Sequence, residues 1–559
     1  MRDASAQAFT YAQIRTIIRK AIKRFTVMGV QRVSVCQVSD LEVGEMRKFT
    51  VADKEILLAK TENGISAIAP HCSHYGAPLE KGVLHNGRIV CPWHNACFSA
   101  DTGTHLSAPG RDNLAKFSVH IEADTVYVEL PEEITEHVTP DLIEADFEKD
   151  DRTFVIVGGG AASDMAAQTL RQNGYQGKII VLTAESEIPY DRTKLSKAYL
   201  QADEIGEVSK LRSSDFYNQH DIEIKTSAKV TGLDVEAKQL TFGEDETQET
   251  LSYDALLLAT GGVVKQVPVD GSELDNVFTL RKAEDAKAIL KAAKQSKKAV
   301  IIGSGFIGME TAASLKQQGL DVTVVSPDKV PFEKVLGDSV GKLFQQVHES
   351  NGVKFKLDEK AKALKGDGKV ETVELENGEV ISTDMVVVGI GVKPATDFVE
   401  GLLMNEKDSS ILVNQYLQAK PDVYAAGDIA RFPHFITGQP TRIEHWQLAM
   451  QQGRIAACNM AGQQVVFDAV PFFWTGQFDL KLRYIGHSEN YNDIVIQGSL
   501  EDKSFLAFYI EDEQVMAVSG IGRDRDIAAL SELMRLRKLP KAKAITSKDV
   551  DWAEQLKTA

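Results

Sequence analysis

The pattern of hydrophobic and polar positions divides the chain into a region of short strands and a longer region of alternating strands and helices. Between residues 33 and 130, short runs of alternating apolar and polar residues are separated by turn signals such as Asn63-Gly64 and Asn86-Gly87. After residue 152, the apolar runs Phe154–Val157 and Lys178–Leu182 flank a stretch of helical periodicity at Ala161–Asn173. The pattern predicts an all-β domain followed by α/β domains.

The strand–turn–helix–strand unit occurs a second time further along the chain. Lys298–Ile302 is a predicted strand, Gly303-Ser304-Gly305 a turn, Ile307–Gln318 a helix and Asp321–Val325 a strand. Two βαβ units of one type in one chain are typical of two nucleotide-binding domains. From about residue 470, short strands precede a predicted helix at Asp526–Arg537, which indicates a final α+β domain.

The first 32 residues differ from the rest in charge. They carry +6, which leaves −23 on the remainder of a chain whose total is −17. Apolar residues recur at helical spacing from Ile14 to Phe25 and predict an amphipathic helix with a basic face. Three interpretations stay open: a transit peptide, a helix on an anionic membrane surface, and a helix packed on its own domain or a disordered leader. The predicted location is intracellular, either cytoplasmic or mitochondrial.

Composition narrows the function classes. A chain of 559 residues suggests three or four domains at roughly 150 residues each. The net charge of −17 argues against nucleic-acid binding, which needs clustered Lys and Arg. No uninterrupted apolar run reaches the length of a membrane-spanning helix. Five cysteines exclude a disulfide scaffold.

Two short cysteine–histidine pairs are candidates for metal ligands. Cys72 and His74 flank Ser73, and Cys91 and His94 flank a Pro-Trp dipeptide. Zinc is one alternative, since two cysteines and two histidines suit a tetrahedral site. The alternating order favours a two-iron, two-sulfur cluster, in which one iron takes both thiolates and the other takes both imidazoles.

These residues and their flanks, Cys72–Leu79 and Cys91–Phe98, resemble the Rieske family over about residues 33–130. The resemblance implies a [2Fe-2S] cluster near the tip of a small β sandwich. High-potential members have an extra cysteine in each loop, where this chain has Ala77 and Trp93. The site is therefore expected to be of the ferredoxin type, toward the low end of roughly −150 to +300 mV.

The first glycine-rich turn has the pattern of a dinucleotide-binding site. Gly158 allows the tight turn, Gly160 lets a diphosphate approach the backbone, and Ser163 stands where a small residue lets helix and strand pack. The diphosphate would then meet the amide groups at a helix N-terminus. Glu185 follows the next strand, where an acid can bind ribose hydroxyls.

Three further segments, Pro189–Lys197, Ala259–Gly262 and Tyr424–Asp428, join this turn in resembling the FAD-binding motifs of the two-dinucleotide flavoprotein reductases. The most similar branch is the group of apoptosis-inducing factors and oxygenase-coupled ferredoxin reductases. The resemblance implies FAD contacts by six residues: Arg192 and Lys197 near the flavin, Val230 at the adenine through its backbone, Thr260 near the FAD, Asp428 at the ribityl chain and Trp446 near the isoalloxazine.

The second glycine-rich turn, formed by Gly303, Gly305 and Gly308, is complete, and the same resemblance assigns it to the nicotinamide nucleotide. It also puts Glu310 near the nicotinamide and Gly391 in a loop that closes over the nucleotide. We hypothesise that Lys197 and Glu310 form an ion pair beside the flavin N5, so that these two residues and Trp446 are the candidate catalytic residues.

The resemblance divides the chain into a leader and four domains. The boundaries are a basic leader (1–32), a Rieske domain (33–130), an acidic linker (131–151), an FAD domain in two parts (152–285 and 413–468), an NAD(P) domain (286–412) and a C-terminal α+β domain (469–559). Asp328 stands two residues past the usual acidic position of an NADH site, and no arginine is present to bind a 2′-phosphate, although Lys329 could help to bind one. The pattern favours NADH over NADPH.

No cysteine pair is available to carry electrons from the flavin, because Cys458 is the only cysteine after Cys97. The Rieske cluster is then the expected exit. The sequence therefore predicts an NAD(P)H-dependent FAD oxidoreductase that passes electrons to the cluster and on to an unidentified acceptor. The alternative is a redox-sensing or cell-death signalling protein that oxidises NADH slowly.

Overall fold

The computed structural model describes residues 30–243 and 248–559. They form two compact units. The smaller contains the described residues up to Cys91 together with Ala96–Leu106 and Gly110–Thr139, and the larger contains Pro92–Asn95, Ser107–Pro109 and Pro140–Ala559. The amphipathic helix predicted near the N-terminus lies outside the described residues. Within the part of the chain that is described, no helix is long and apolar enough to cross a membrane.

The regular elements of the N-terminal region are strands, as predicted, apart from two three-residue 3-10 helices at Val38–Asp40 and Leu79–Lys81. The strands are β1 (Gln31–Gln37), β2 (Met46–Val51), β3 (Lys54–Thr61), β4 (Gly64–Ile68), β5 (Val83–His85), β6 (Arg88–Val90), β7 (Cys97–Ser99), β8 (His105–Ser107), β9 (Asn113–Leu114), β10 (Lys116–Glu122), β11 (Thr125–Leu130) and β12 (His137–Val138). One antiparallel sheet has the order β1-β11-β10-β4-β3-β2, and β5 to β8 form a second sheet. Along β11, buried and half-buried residues alternate, because one face of the strand covers the core.

The segment predicted as a linker, 131–151, makes regular contacts with the domains on either side of it. Strand β12 pairs with β9 in the smaller unit. In the larger unit, the backbone N–H groups of Ile143 and Asp146 donate to the carbonyl oxygens of Arg171 and Gln176. Acidic composition and the lack of periodicity did not reveal these contacts, because they use backbone groups.

The larger unit begins with alternating strands and helices. Its first part contains β13 (Thr153–Val157), α1 (Ala161–Gln172), β14 (Lys178–Leu182), α2 (Ser214–Gln219), β15 (Ile222–Lys225), β16 (Val230–Asp234), β17 (Gln239–Phe242), β18 (Glu249–Ser252), β19 (Ala255–Leu258) and β20 (Gly262–Val264). The next part contains β21 (Val277–Thr279), α3 (Ala283–Ala293), β22 (Lys298–Ile302), α4 (Phe306–Gln317), β23 (Asp321–Ser326), α5 (Glu333–Ser350), β24 (Lys354–Leu357), β25 (Ala361–Lys365), β26 (Thr372–Leu375), β27 (Val380–Ser382), β28 (Met385–Val388), β29 (Val392–Pro394) and β30 (Ile411–Leu412). The last part contains β31 (Gln418–Lys420), β32 (Val423–Ala425), β33 (Ala430–Pro433), β34 (Pro440–Thr441) and α6 (Trp446–Met460).

The first nucleotide-binding sheet has the order β15-β14-β13-β19-β32-β31. Its strands are parallel except for the last pair. Strand β19 is buried at every residue, as expected of a parallel strand that is covered on both faces. Because β31 and β32 follow the second nucleotide domain in the chain, this sheet is completed by a returning segment.

The second nucleotide-binding sheet is parallel, with the order β21-β28-β22-β23-β24. Its edge strand β21 lies inside the range 152–285, which the sequence had assigned to the first nucleotide domain. The chain therefore enters the second domain before the predicted boundary. A three-residue strand of half-buried side chains carries too weak a pattern to show which sheet it joins.

The C-terminal domain is an antiparallel sheet with two helices, which agrees with the predicted α+β class. Its elements are β35 (Phe472–Gln477), β36 (Leu480–Gly486), β37 (Asp493–Ser499), β38 (Ser504–Glu511), β39 (Gln514–Ile521), α7 (Asp524–Arg535) and α8 (Trp552–Lys557). The strand order is β35-β36-β39-β38-β37.

Helices α1 and α6 pack closely in the first nucleotide domain. A Cβ atom on Gly453 of α6 would lie 2.1 Å from the carbonyl oxygen of Ala162 of α1, so only glycine allows this approach. The packing brings the first residue of α6, Trp446, to an apolar cluster that includes Ala161 and Met165.

Candidate functional site

The first glycine-rich turn has the geometry of a diphosphate-binding turn. Gly158 has φ +124°, and a Cβ atom there would lie 2.2 Å from the carbonyl oxygen of Ala259. At Gly160, which caps α1, a Cβ atom would meet no atom within 4 Å. This open space before a helix N-terminus fits a diphosphate. Ser163 lies in α1 and is fully buried, as expected of a small residue at a packing position.

The second turn repeats this geometry with all three glycines. Gly303 has φ +111°, and a Cβ atom there would lie 2.4 Å from the carbonyl oxygen of Gly389. A Cβ atom on Gly305 would meet no atom within 4 Å, whereas one on Gly308 would lie 2.2 Å from the carbonyl oxygen of Gly303. Gly305 thus leaves room for a ligand, and Gly308 allows the close contact of α4 with the strand before it.

Glu185 contacts residues of the chain itself. The Tyr190 hydroxyl donates to Glu185 Oε2 at 2.6 Å, and Arg192 forms an ion pair with Glu185 Oε1. Arg192 also donates to the Tyr190 hydroxyl at 2.9 Å. Burial raises the pKa of Tyr190, so its proton stays on the oxygen. The predicted ribose contact of Glu185 and the flavin contact of Arg192 stay predictions, while their mutual pairing is a feature that the motifs did not show.

Asp428 is paired with a residue that the sequence did not single out. Its Oδ2 atom accepts a hydrogen bond from Arg281 Nη2 at 2.8 Å. The backbone carbonyl of Arg281 in turn accepts from Arg192 at 3.0 Å. Arg281 stands between β21 and α3, 147 residues before Asp428, so no local motif could reveal the pair. The guanidinium groups of Arg192 and Arg281 and the carboxylate of Asp428 thus belong to the predicted flavin motifs or contact them.

Lys197 and Glu310 form an ion pair, with Nζ to Oε2 at 2.7 Å, and its predicted position beside the flavin N5 stays a prediction. Lys197 lies in a π-helical turn, Leu195–Tyr199, a rare geometry that is frequent at functional sites. Glu310 lies on α4, is 3% exposed, and also accepts from the hydroxyl groups of Ser196 and Thr475. Both oxygens of the Glu310 carboxylate therefore accept hydrogen bonds. Its catalytic role stays a prediction.

The other predicted FAD and NAD residues lie in the same domains. The Thr260 hydroxyl donates to the carbonyl oxygen of Ala395 at 2.7 Å. Val230 is the buried first residue of β16. Gly391 has φ +95°, and a Cβ atom there would meet no atom within 4 Å. Trp446 is partly buried at the start of α6.

At the end of β23, Asp328 turns back toward the second glycine-rich turn. Its Oδ2 atom lies 3.4 Å from the hydroxyl oxygens of Ser304 and Ser326, which share a hydrogen bond of 2.7 Å. A carboxylate therefore stands beside the turn although it is displaced in sequence from the usual position.

In the smaller unit, Cys72 and Cys91 are buried next to each other. Each is 1% exposed, and the hydrogen bond between the two thiols, together with burial, raises the pKa of Cys72 well above its ordinary value. The Cys72 and Cys91 N–H groups donate to Ala77 and Ala96 at 2.9 and 2.8 Å, closing two tight loops. Two adjacent buried thiols suit one iron of a cluster. No group of three or more His, Cys, Asp or Glu side chains in the described ranges is placed to hold a single metal ion.

The two histidines lie in different units of the fold. In the smaller unit, the His74 ring stacks on Tyr75 at a centroid distance of 3.8 Å. His94 belongs to Pro92–Asn95, which groups with the larger unit. There the His94 ring lies 4.5 Å from the Trp474 ring of β35. None of the five cysteines, all of which lie among the described residues, forms a disulfide bond.

Comparison with known protein families agrees with this geometry. Residues 152–453 match the family described as pyridine nucleotide-disulphide oxidoreductase. Residues 31–118 match the Rieske [2Fe-2S] domain, and residues 472–557 match the reductase C-terminal domain. The matches confirm the predicted fold class and the predicted cofactors, and they decide against the zinc alternative.

Similar proteins are found among both mammalian and bacterial chains. Apoptosis-inducing factor 3 of Homo sapiens is 38% identical over 529 residues, which cover 93% of this chain and 85% of that protein. Rhodocoxin reductase of Rhodococcus erythropolis is 33% identical over 386 residues, covering 68% and 89%. A crystal structure of a ferredoxin reductase from Rhodopseudomonas palustris has a TM-score of 0.68 at 29% identity and covers 72% of this chain and all of its own.

Proposed function

Because the chain belongs to the pyridine nucleotide-disulphide oxidoreductase family and carries a Rieske [2Fe-2S] domain, we propose that its flavin passes electrons from NADH to the Rieske cluster and from there to a separate acceptor. The chain is an FAD-dependent NAD(P)H oxidoreductase with a ferredoxin-reductase fold. When bound, the nucleotide would supply a hydride, which carries two electrons, and the flavin would pass these electrons singly to a one-electron cluster.

One observation carries the proposed route. Trp474 has its ring against His94, a predicted cluster ligand, and its chain neighbour Thr475 donates to Glu310 at 2.7 Å. Two consecutive residues of β35 therefore contact a predicted cluster ligand and the carboxylate predicted to lie at the nicotinamide.

Neighbouring contacts support the position of the segment that carries His94. Arg483 Nε donates to the Trp93 carbonyl oxygen at 3.2 Å, and Asn95 Nδ2 donates to the Ser531 hydroxyl at 2.9 Å. Both partners, Arg483 and Ser531, belong to the C-terminal domain. The residues on either side of His94 are thus held to the domain that contains Trp474.

Within the nucleotide domains, the residues present fit the two nucleotides. The open spaces at Gly160 and Gly305 fit diphosphates, and the ion pair between the partly exposed Lys197 and the buried Glu310 joins the two nucleotide-binding domains. We assign to Glu310 the orientation of Lys197 and of the bound nicotinamide, since it is the acceptor at the centre of the hydrogen bonds in this region.

The route is tested by replacing Cys72 with serine. We expect the Cys72→Ser protein to reduce its flavin with NADH at the normal rate but to lose most of its cytochrome c reduction, because the one-electron exit is removed. The matched control is Cys97→Ser, a buried cysteine outside the predicted ligand set. Cytochrome c reduction at the full rate in Cys72→Ser would show that the cluster is not on the route.

The second candidate function is a redox sensor. The similarity to apoptosis-inducing factor 3 over 93% of the chain favours it. Turnover with NADH separates the two functions. A reductase turns over rapidly with NADH and an artificial acceptor. A sensor turns over slowly and keeps a long-lived charge-transfer band of the reduced flavin.

We further propose NADH as the donor, with Asp328 binding its adenosine ribose. An Asp328→Asn variant removes the charge that repels a 2′-phosphate, so it should lower the NADH preference over NADPH by roughly tenfold. The ratio of kcat/KM for the two nucleotides measures this. A variant with an unchanged ratio would place the specificity elsewhere.

A further inference from the structure

A chain of buried hydrogen bonds leads from Glu310 into the C-terminal domain and ends on a histidine. The Thr475 hydroxyl donates to Glu310 Oε1 at 2.7 Å, Gln477 Nε2 donates to the Thr475 oxygen at 3.0 Å, and His348 Nε2 lies 2.9 Å from Gln477 Oε1. None of the four residues is more than 3% exposed. Water therefore does not compete for these bonds.

In this series of hydrogen bonds, every donor points toward Glu310. A threonine hydroxyl has one proton, and since Thr475 gives it to the carboxylate, it accepts from the Gln477 amide. The Gln477 carbonyl is then an acceptor, so His348 must carry a proton on Nε2. Burial lowers the pKa of His348 to about 4, which keeps the ring neutral at physiological pH with a single N–H.

The series of hydrogen bonds ends at His348. Its Nδ1 atom has no hydrogen-bond partner among the described residues. The ring is in edge contact with Phe355 and Phe478, at centroid distances of 6.2 and 4.9 Å. An apolar end offers no exit for a proton, so the chain is suited to holding groups in place and not to moving protons.

The four residues come from three elements. His348 lies on α5, Thr475 and Gln477 on β35, and Glu310 on α4. The hydrogen bonds thus connect the Glu310 carboxylate to β35 and α5, two elements other than its own helix.

We propose that His348 is a positioning residue for hydride transfer, which through Gln477 and Thr475 holds the Glu310 carboxylate in the orientation that pairs with Lys197. This inference rests on the proposed function, because it takes Glu310 as the residue that orients the nicotinamide. It assigns a functional effect to a histidine on α5 that reaches Glu310 through two other side chains.

Removal of the His348 donor has a specific consequence. In His348→Phe, the Gln477 carbonyl would be buried and unpaired, which is costly. Rotation of the amide would turn that oxygen to the Thr475 hydroxyl, which would then donate to Gln477 instead of Glu310. In His348→Gln, the amide N–H reaches as far as the imidazole Nε2–H and keeps the chain intact.

The test measures flavin reduction by NADH in the anaerobic holoenzyme by stopped flow. We expect His348→Phe to slow the reduction by roughly tenfold, the effect of losing one hydrogen bond to a charged group, with little change in NADH affinity. His348→Gln should restore the normal rate. Thr475→Val should slow the reduction by a similar factor, and the double variant His348→Phe/Thr475→Val should be no slower than Thr475→Val alone.

A readout that does not depend on activity is the tautomer of His348. Histidine-selective 15N labelling should show a neutral ring protonated on Nε2 in the wild type and in Thr475→Val. The matched control for fold effects is Tyr509→Phe, which removes another buried hydroxyl that donates to a carbonyl of α5, at Leu336, but is not linked to Glu310. It should change stability and leave the reduction rate unchanged.

Two results would overturn the proposal: a His348→Phe enzyme with the normal reduction rate while Thr475→Val is slow, or a ring protonated on Nδ1. In either case the proposed function stands. If Thr475→Val and Glu310→Gln also reduce at the normal rate, the role of Glu310 in the proposed function fails instead.

Discussion

Replacement of Glu310 by alanine is the most direct perturbation of the proposed hydride-transfer site. Glu310 is 3% exposed, and its carboxylate accepts hydrogen bonds from Ser196, Lys197 and Thr475. Alanine removes all three acceptor contacts and leaves three donors without a partner. We expect both the stability of the fold and the rate of flavin reduction to fall.

The size of the stability loss follows from the exposure of Lys197. Removing one partner of a fully buried ion pair costs about 3–5 kcal/mol. Lys197 keeps 23% of its side chain exposed, so water can solvate its ammonium group after the change. We therefore expect about 2 kcal/mol less unfolding free energy. Glu310→Gln keeps the side-chain shape and should lose less stability than Glu310→Ala.

The loss in rate has a different origin. A displaced nicotinamide or ammonium group reduces hydride transfer by roughly 100-fold for a shift of about 1 Å. Anaerobic stopped-flow reduction of the flavin by NADH, followed by flavin absorbance, measures this step without the acceptor. Chemical denaturation of the same protein measures the unfolding free energy.

A Lys197→Met variant allows a double-mutant cycle for the Lys197–Glu310 pair. If the pair acts as a unit, the double variant Lys197→Met/Glu310→Gln should be less impaired than the sum of the single variants. Reduction of the flavin at the normal rate in both Glu310→Ala and Lys197→Met would refute the reasoning, since it would show that the pair is a structural contact only.

Two further predictions concern the nucleotide turn and the pH dependence of stability. Gly308→Ala should lower Tm, because its Cβ atom would lie 2.2 Å from the Gly303 carbonyl oxygen, while Gly305→Ala, whose Cβ atom meets nothing within 4 Å, should keep Tm and weaken NADH binding. The folded-state pKa of His348 is lowered from 6.5 to about 4 by burial, so the unfolded state binds more protons between these values and stability should fall by about 3 kcal/mol as pH drops from 6.5 to 4. Denaturation of the wild type and His348→Gln at several pH values checks this; equal slopes would contradict it.

Local sequence determined most of the secondary structure and the two nucleotide turns. The predicted strand Lys298–Ile302 has the same bounds as β22, and the predicted helix after it begins one residue from α4. These elements depend on apolar periodicity and on glycines in turns that require a positive φ, such as Gly158 at +124°. The Rieske motif and the glycine motifs were likewise visible because each is contained in a few consecutive residues.

The tertiary structure alone decided how distant polar groups meet. The Arg281–Asp428 pair joins residues 147 positions apart, and His348 reaches Gln477 across 129. Each partner taken alone is an ordinary polar residue in a strand, a turn or a helix. The sequence did predict one distant pair, Lys197 with Glu310, but only through the resemblance to a family. Hydrogen bonds and ion pairs in a buried core depend on which elements pack together, and that information lies in no single stretch of the chain.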